Sequence, residues 1–84
     1  MDIEKIIEDV KSFILSEFLP GENPDELTES TELITHGILD SLATLKLVSF
    51  IEEQFDIALE AHEVDLEYLN TLTDIANLIS SKMD

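Results

Sequence analysis

Apolar residues recur at spacings of three and four along the first stretch of the chain, at Ile3, Ile6, Ile7, Val10, Phe13, Ile14 and Phe18. That recurrence marks one buried face of a helix. Asp2 and Glu4 stand where the helix dipole favours acids, and Pro20-Gly21, followed by Pro24, ends the run. A second stripe, Leu45, Val48, Ile51 and Phe55 with Leu47 at its flank, predicts a helix from Asp40-Ser41 to Phe55, stopped by Asp56. Leu42 and Phe50 fall at the edge of this stripe, where partial exposure is expected. A short helix is expected over 61–69, with Val64, Leu66, Tyr68 and Leu69 as its contacts. Thr71 and Asp74 have the spacing of a helix cap and its acidic partner. Leu72, Ile75, Ala76, Leu78 and Ile79 then supply the apolar face of a last helix.

Residues 20–40 form the longest connection. Thr28, Ser30, Thr31 and Thr35 make it polar, whereas Leu27, Leu33, Ile34, Ile38 and Leu39 are apolar anchors that predict packing across the bundle. A helical turn is expected over Pro24–Leu27. Loops of this length are commonly functional when ordered. No segment alternates with a period of two, and Ile57-Ala58-Leu59 is too short to argue for a strand. The expected fold is all-α, a small bundle of three longer helices and one short one. Its core is expected around Ile7, Val10, Ile14, Val48, Ile51, Phe55, Ile75 and Ile79.

Size and charge narrow the function. The 84 residues make one domain, 1–84, with no volume for a second core. Substrate pockets are concave and lined by many side chains, which weighs against a self-contained enzyme. Twenty acidic residues face four lysines, giving a formal net charge of −16. Such a surface repels phosphate backbones, so nucleic acid is not an expected partner. It draws in partners with basic patches and favours a monomer, and it also keeps a small protein soluble. The absence of cysteine rules out disulfides, thiolate catalysis and cysteine-ligated metals. The amino-terminal segment has neither a basic region nor an uninterrupted apolar core, and nothing approaches a membrane span, so a cytoplasmic location is expected.

Candidate chemistry concentrates at Gly37-Ile38-Leu39-Asp40-Ser41-Leu42, where the long loop meets the second helix. Gly37 permits a sharp turn. Ser41 stands in the first helical turn, where unpaired N–H groups and the dipole favour an anion such as a phosphate ester. Asp and Ser are also the favoured helix caps, and capping alone accounts for most such junctions. A capping box from Ser41 would need Glu or Gln three residues on, and Thr44 stands there instead.

The string GILDSL, followed by ATLKLVSFIEEQFDI, resembles the attachment site and second helix of the phosphopantetheine carrier family, the acyl carrier proteins and their peptidyl and aminoacyl relatives. Chain length, acidity, the long loop, the short helix at AHEVDLEYLN and the Thr-led last helix match that family's layout. The resemblance implies a fold like that of an acyl carrier protein, with no catalytic residues. It implies 4′-phosphopantetheine attached to Ser41, whose terminal thiol holds acyl or aminoacyl groups as thioesters. The implied partners are a phosphopantetheinyl transferase, an acyl- or aminoacyl-loading enzyme and downstream biosynthetic enzymes. By the same resemblance Asp40 and Leu42 serve recognition by the transferase, Asp40 where a bound metal ion is involved. Leu42, Lys46, Glu52 and Glu53 face partner enzymes. Fatty-acid-synthase carriers tend to show acids soon after the serine. Here Ala43 and Lys46 stand there, and Glu52, Glu53 and Asp56 come later. GILDSL and EVDLEYLNT look more like stand-alone D-alanyl, aminoacyl or specialised-pathway carriers.

Other groups carry less. His36 lies close to Ser41 in sequence, but a catalytic pair also needs an orienting group, an oxyanion site and a pocket. His36 is expected in the loop and His62 on the surface. No stretch supplies the alternating ligands, turn glycine and terminal glutamate of a calcium loop, so no metal site is expected. Two rival readings remain: an unmodified acidic helical adaptor that binds a basic partner protein, and a degenerate carrier kept as a structural subunit. Neither explains why a glycine-led loop sets an intact Asp40-Ser41-Leu42 at a helix start.

Overall fold

The computed structural model describes residues 2–21 and 23–83. Helix α1 spans Ile3–Phe18. The Asp2 carboxylate caps it by accepting the Glu4 N–H at 3.1 Å. Ile6, Val10 and Ile14 are buried, with Ile3, Ile7, Phe13 and Phe18 packed half-buried around them. Ile7 therefore belongs to the margin of the core and Ile6 to its centre. The chain leaves α1 through Leu19 and turns at Gly21, whose φ of 87° lies in the region that suits glycine.

Helix α2 spans Ser41–Phe55, as its pattern predicts, but its buried row is Ala43, Leu47, Ile51 and Phe55. Leu45 is 62 % exposed. It is two residues from both Ala43 and Leu47, which turns it to the far side of a helix with 3.6 residues per turn. The expected stripe thus mixed two faces at its start, and Val48 is only half-buried. Phe50 is half-buried too, and its ring stacks on Phe13 of α1 with centroids 4.1 Å apart. Asp56 ends α2 in the left-handed region at φ 54°.

The expected helix over 61–69 divides in two. A 3-10 turn covers Ala61–Glu63, and helix α3 covers Leu66–Leu69. Asp65 interrupts them, because its carboxylate takes the Leu66 N–H at 2.7 Å and starts a new helix. Leu69 alone of the four expected contacts is buried; Val64 and Tyr68 are half-buried and Leu66 is exposed. Helix α4 spans Leu72–Met83, and the Thr71 hydroxyl accepts the Asp74 N–H at 3.0 Å. All five of its expected apolar residues are buried.

The long connection is ordered by its anchors. A 3-10 turn covers Pro24–Glu26, and Leu27, Leu33 and Leu39 join the core. Helix α4 packs against α1, α2 and α3. The result is an all-helical bundle, with no strand among the described residues and no helix long and apolar enough to cross a membrane. Lys82, in the last turn of α4, reaches the Glu63 carboxylate at 2.7 Å and ties the two ends of this half of the bundle together. Their hydrogen bond holds the Glu63 carboxyl below its ordinary range and raises Lys82 above its own, overcoming the opposite push of burial.

Candidate functional site

The start of α2 is built by the loop before it. Gly37 sits at φ 80° and donates its N–H to the Ile34 carbonyl at 3.0 Å, closing a turn that a side chain would strain. Leu39 is then drawn into the core, and its N–H reaches the Leu33 carbonyl at 3.0 Å. Asp40 follows in extended conformation and caps the helix, its Oδ1 accepting the Ala43 N–H at 2.8 Å. The Thr44 hydroxyl and N–H both return to the Asp40 carbonyl, each at 2.8 Å.

Ser41 is therefore the first residue inside the helix, not its cap. Its hydroxyl is exposed and makes no hydrogen bond with any described residue. The capping that competes with chemistry for a serine at such a junction is done here by its neighbour. Beside Ser41 a groove of about 620 Å³ runs between α2 and α3, lined by Ile34, Thr44, Leu45, Val64 and Leu66 among others. Leu42, next in the chain, is 64 % exposed, and the exposed Leu45 and Leu66 line the groove with the serine.

The other expected groups are more scattered. Lys46 and Glu53 are exposed on the outer face of α2. Glu52 is half-buried, and its carboxylate accepts the Leu59 N–H at 2.9 Å, which holds the segment after α2 against the helix. His36 is exposed in the loop, with Glu32 at 3.7 Å. His62 is exposed as well, and one ligand atom each from Glu60, His62 and Glu63 lie within 4.8 Å of one another. Glu63 is already engaged there by Lys82 and by the Glu60 N–H at 2.9 Å, so the grouping has a structural purpose.

The sequence reading missed Asn70. Its side-chain oxygen accepts the Ile34 N–H at 3.0 Å and the Thr35 N–H at 3.1 Å, and its carbonyl accepts the Leu33 N–H. An Asn at a helix end is an ordinary cap signal, and a partner more than thirty residues away leaves no local pattern.

The family model for the phosphopantetheine attachment site matches residues 14–79. The chain belongs to the acyl carrier protein family. It is 34% identical over 80 residues to the D-alanyl carrier protein of Bacillus subtilis, covering 95% of this chain and 96% of the relative. It is 39% identical over 62 residues to the D-alanyl carrier protein of Lactococcus lactis subsp. cremoris, covering 71% and 78% of the two chains. With the acyl carrier protein of Chlamydia muridarum the identity is 32% over 77 residues, covering 92% and 95%. As a family member this protein bears covalent 4′-phosphopantetheine and presents intermediates held as thioesters. That prosthetic group supplies the thiol that a chain without cysteine lacks.

Proposed function

We propose that Ser41 is the attachment residue and that the 84 residues work as a single, monomeric, non-catalytic carrier domain in the cytoplasm. The observation that carries the reading is the division of labour at the start of α2. Asp40 takes the cap, and the neighbouring Ser41 hydroxyl is left exposed and uncommitted. The surroundings fit the group. N–H groups at the first turn of a fifteen-residue helix favour a phosphate, and the groove lined by Leu45 and Leu66 suits a flexible arm.

The Ser41 oxygen attacks the pyrophosphate of coenzyme A, forming the phosphodiester while 3′,5′-ADP leaves. Its proton goes to a base on the transferase, because no described side chain is hydrogen-bonded to Ser41 to take it. Asp40 holds the helix start with Oδ1, and its other oxygen has no partner among the described residues. That oxygen is available to the transferase or its metal ion. Leu42, Lys46 and Glu53 face the partner enzymes, with Glu52 at their edge bracing the turn to Leu59.

The cargo we propose is an aminoacyl group, D-alanyl before others. Several relatives that span most of this chain are D-alanyl carrier proteins, and Lys46 stands near the serine where an acid would suit a basic fatty-acid partner. The test is to incubate the phosphopantetheinylated protein with ATP, a D-alanine-activating ligase and either D-alanine or L-alanine. A hydroxylamine-sensitive D-alanyl adduct is expected. Loading by a fatty-acyl ligase with no D-alanyl adduct would overturn this choice of cargo.

A further inference from the structure

We propose that Asn70 is a positioning residue for Ser41, holding the loop that delivers the serine through a single side-chain oxygen. The proposal rests on the reading of Ser41 as the attachment residue. Three donors converge on Asn70 Oδ1: the N–H of Ile34 at 3.0 Å, the N–H of Thr35 at 3.1 Å and the Thr35 hydroxyl at 3.4 Å. The Asn70 carbonyl takes a fourth, the N–H of Leu33. Consecutive backbone donors of an irregular segment thus find their acceptors in one residue more than thirty positions further along the chain.

The consequence reaches Ser41 in two short steps. Leu33 accepts the Leu39 N–H at 3.0 Å, which closes the loop on itself, and Asp40 and Ser41 come next in the chain. Ile34, one of the residues held, also lines the groove beside Ser41. Asn70 itself stands where α3 ends, one residue before the Thr71 cap of α4. It therefore joins the loop wall of the groove to the α3 wall that carries Leu66. Removing the acceptor leaves the half-buried Ile34 N–H without its partner and hands the exposed Thr35 N–H and hydroxyl to water, so the loop loses its side-chain tie to the end of α3. Lys46 and Glu53 lie more than a turn along α2 from that loosened loop, whereas the reacting hydroxyl sits where the loop ends.

Only oxygen acceptance is used, so aspartate at 70 keeps every bond and a charged acceptor strengthens them. Leucine at 70 keeps bulk and loses all three side-chain bonds. The experiment measures transfer from coenzyme A by a broad-specificity phosphopantetheinyl transferase to wild type, Asn70→Asp and Asn70→Leu, with hydrogen exchange at the Ile34, Thr35 and Leu39 amides. Asn70→Asp is expected to keep the wild-type kcat within about twofold, the result that separates lost acceptance from lost side-chain identity. Asn70→Leu is expected to lose about tenfold in kcat or more with KM little changed, as a misplaced reacting group does. Its Ile34 and Thr35 amides should exchange faster while those of α1 and α4 keep their protection. Wild-type kcat in Asn70→Leu, or an equal loss in both variants, would overturn the proposal. Where Asn70→Leu does not fold, free exchange of Ile34 and Thr35 in wild type overturns it, and protection at those loop amides together with normal loading of Asn70→Asp supports it. A wild-type protein that is not loaded removes the reading of Ser41 itself, and this proposal with it.

Discussion

Asp40 Oδ1 accepts the Ala43 N–H at 2.8 Å, and by doing so it releases Ser41 from the duty of capping α2. Two tasks that one serine would perform badly together are shared between neighbours. Asp40→Ala should lose about 1 kcal/mol of stability in urea denaturation, the usual worth of a side-chain cap. Asp40→Asn keeps a capping oxygen and should stay within about 0.5 kcal/mol of wild type. If Asp40 also serves the transferase, Asp40→Asn is loaded more slowly despite its stability. Equal destabilisation by Ala and Asn would contradict the capping assignment.

The buried row of α2 can be checked with a pair of leucines. Leu47 is fully enclosed, whereas Leu45 is turned outward beside the serine. Leu47→Ala should cost about 2–5 kcal/mol, the range for deleting a buried leucine. Leu45→Ala should stay within about 0.5 kcal/mol in the same urea titration, as surface changes usually do. The reverse order would restore the stripe expected from the pattern alone.

These two leucines also mark how far the sequence could be read. The helices were legible where one apolar face was backed by end signals, as in α1 with the acids Asp2 and Glu4 and α4 with the Thr71 cap. At the start of α2 both faces are apolar, because the outer one carries the exposed Leu42 and Leu45. Hydrophobicity does not distinguish a side chain needed by the core from one needed by an interface. The serine we propose for attachment was singled out by GILDSL and the loop before it. Its support by Asn70, and the bond from Leu59 to Glu52, join residues distant in sequence and come into view only with the fold.

The Glu63–Lys82 pair has a pH window with a definite sign. The Glu63 carboxyl lies below its ordinary 4.5, so its contribution is present above 4.5 and is lost as pH falls through the lowered folded value. Lys82 lies above its ordinary 10.5, so its contribution is present below 10.5 and is lost as pH rises through the raised folded value. Lys82→Met should therefore melt below wild type at neutral pH. The gap should close as acid neutralises Glu63, and again as alkali neutralises Lys82. A gap that stays constant from acid to alkali would assign the effect to packing of the lysine stem instead.

The central claim is that Ser41 bears the phosphopantetheine, and intact mass tests it most directly. Wild type and Ser41→Ala are incubated with coenzyme A and a broad-specificity phosphopantetheinyl transferase, each first shown by circular dichroism to be helical. The account predicts a gain of one phosphopantetheine on wild type and none on a folded Ser41→Ala. A gain on both proteins, or on neither when the starting wild type is folded and unmodified, would contradict it.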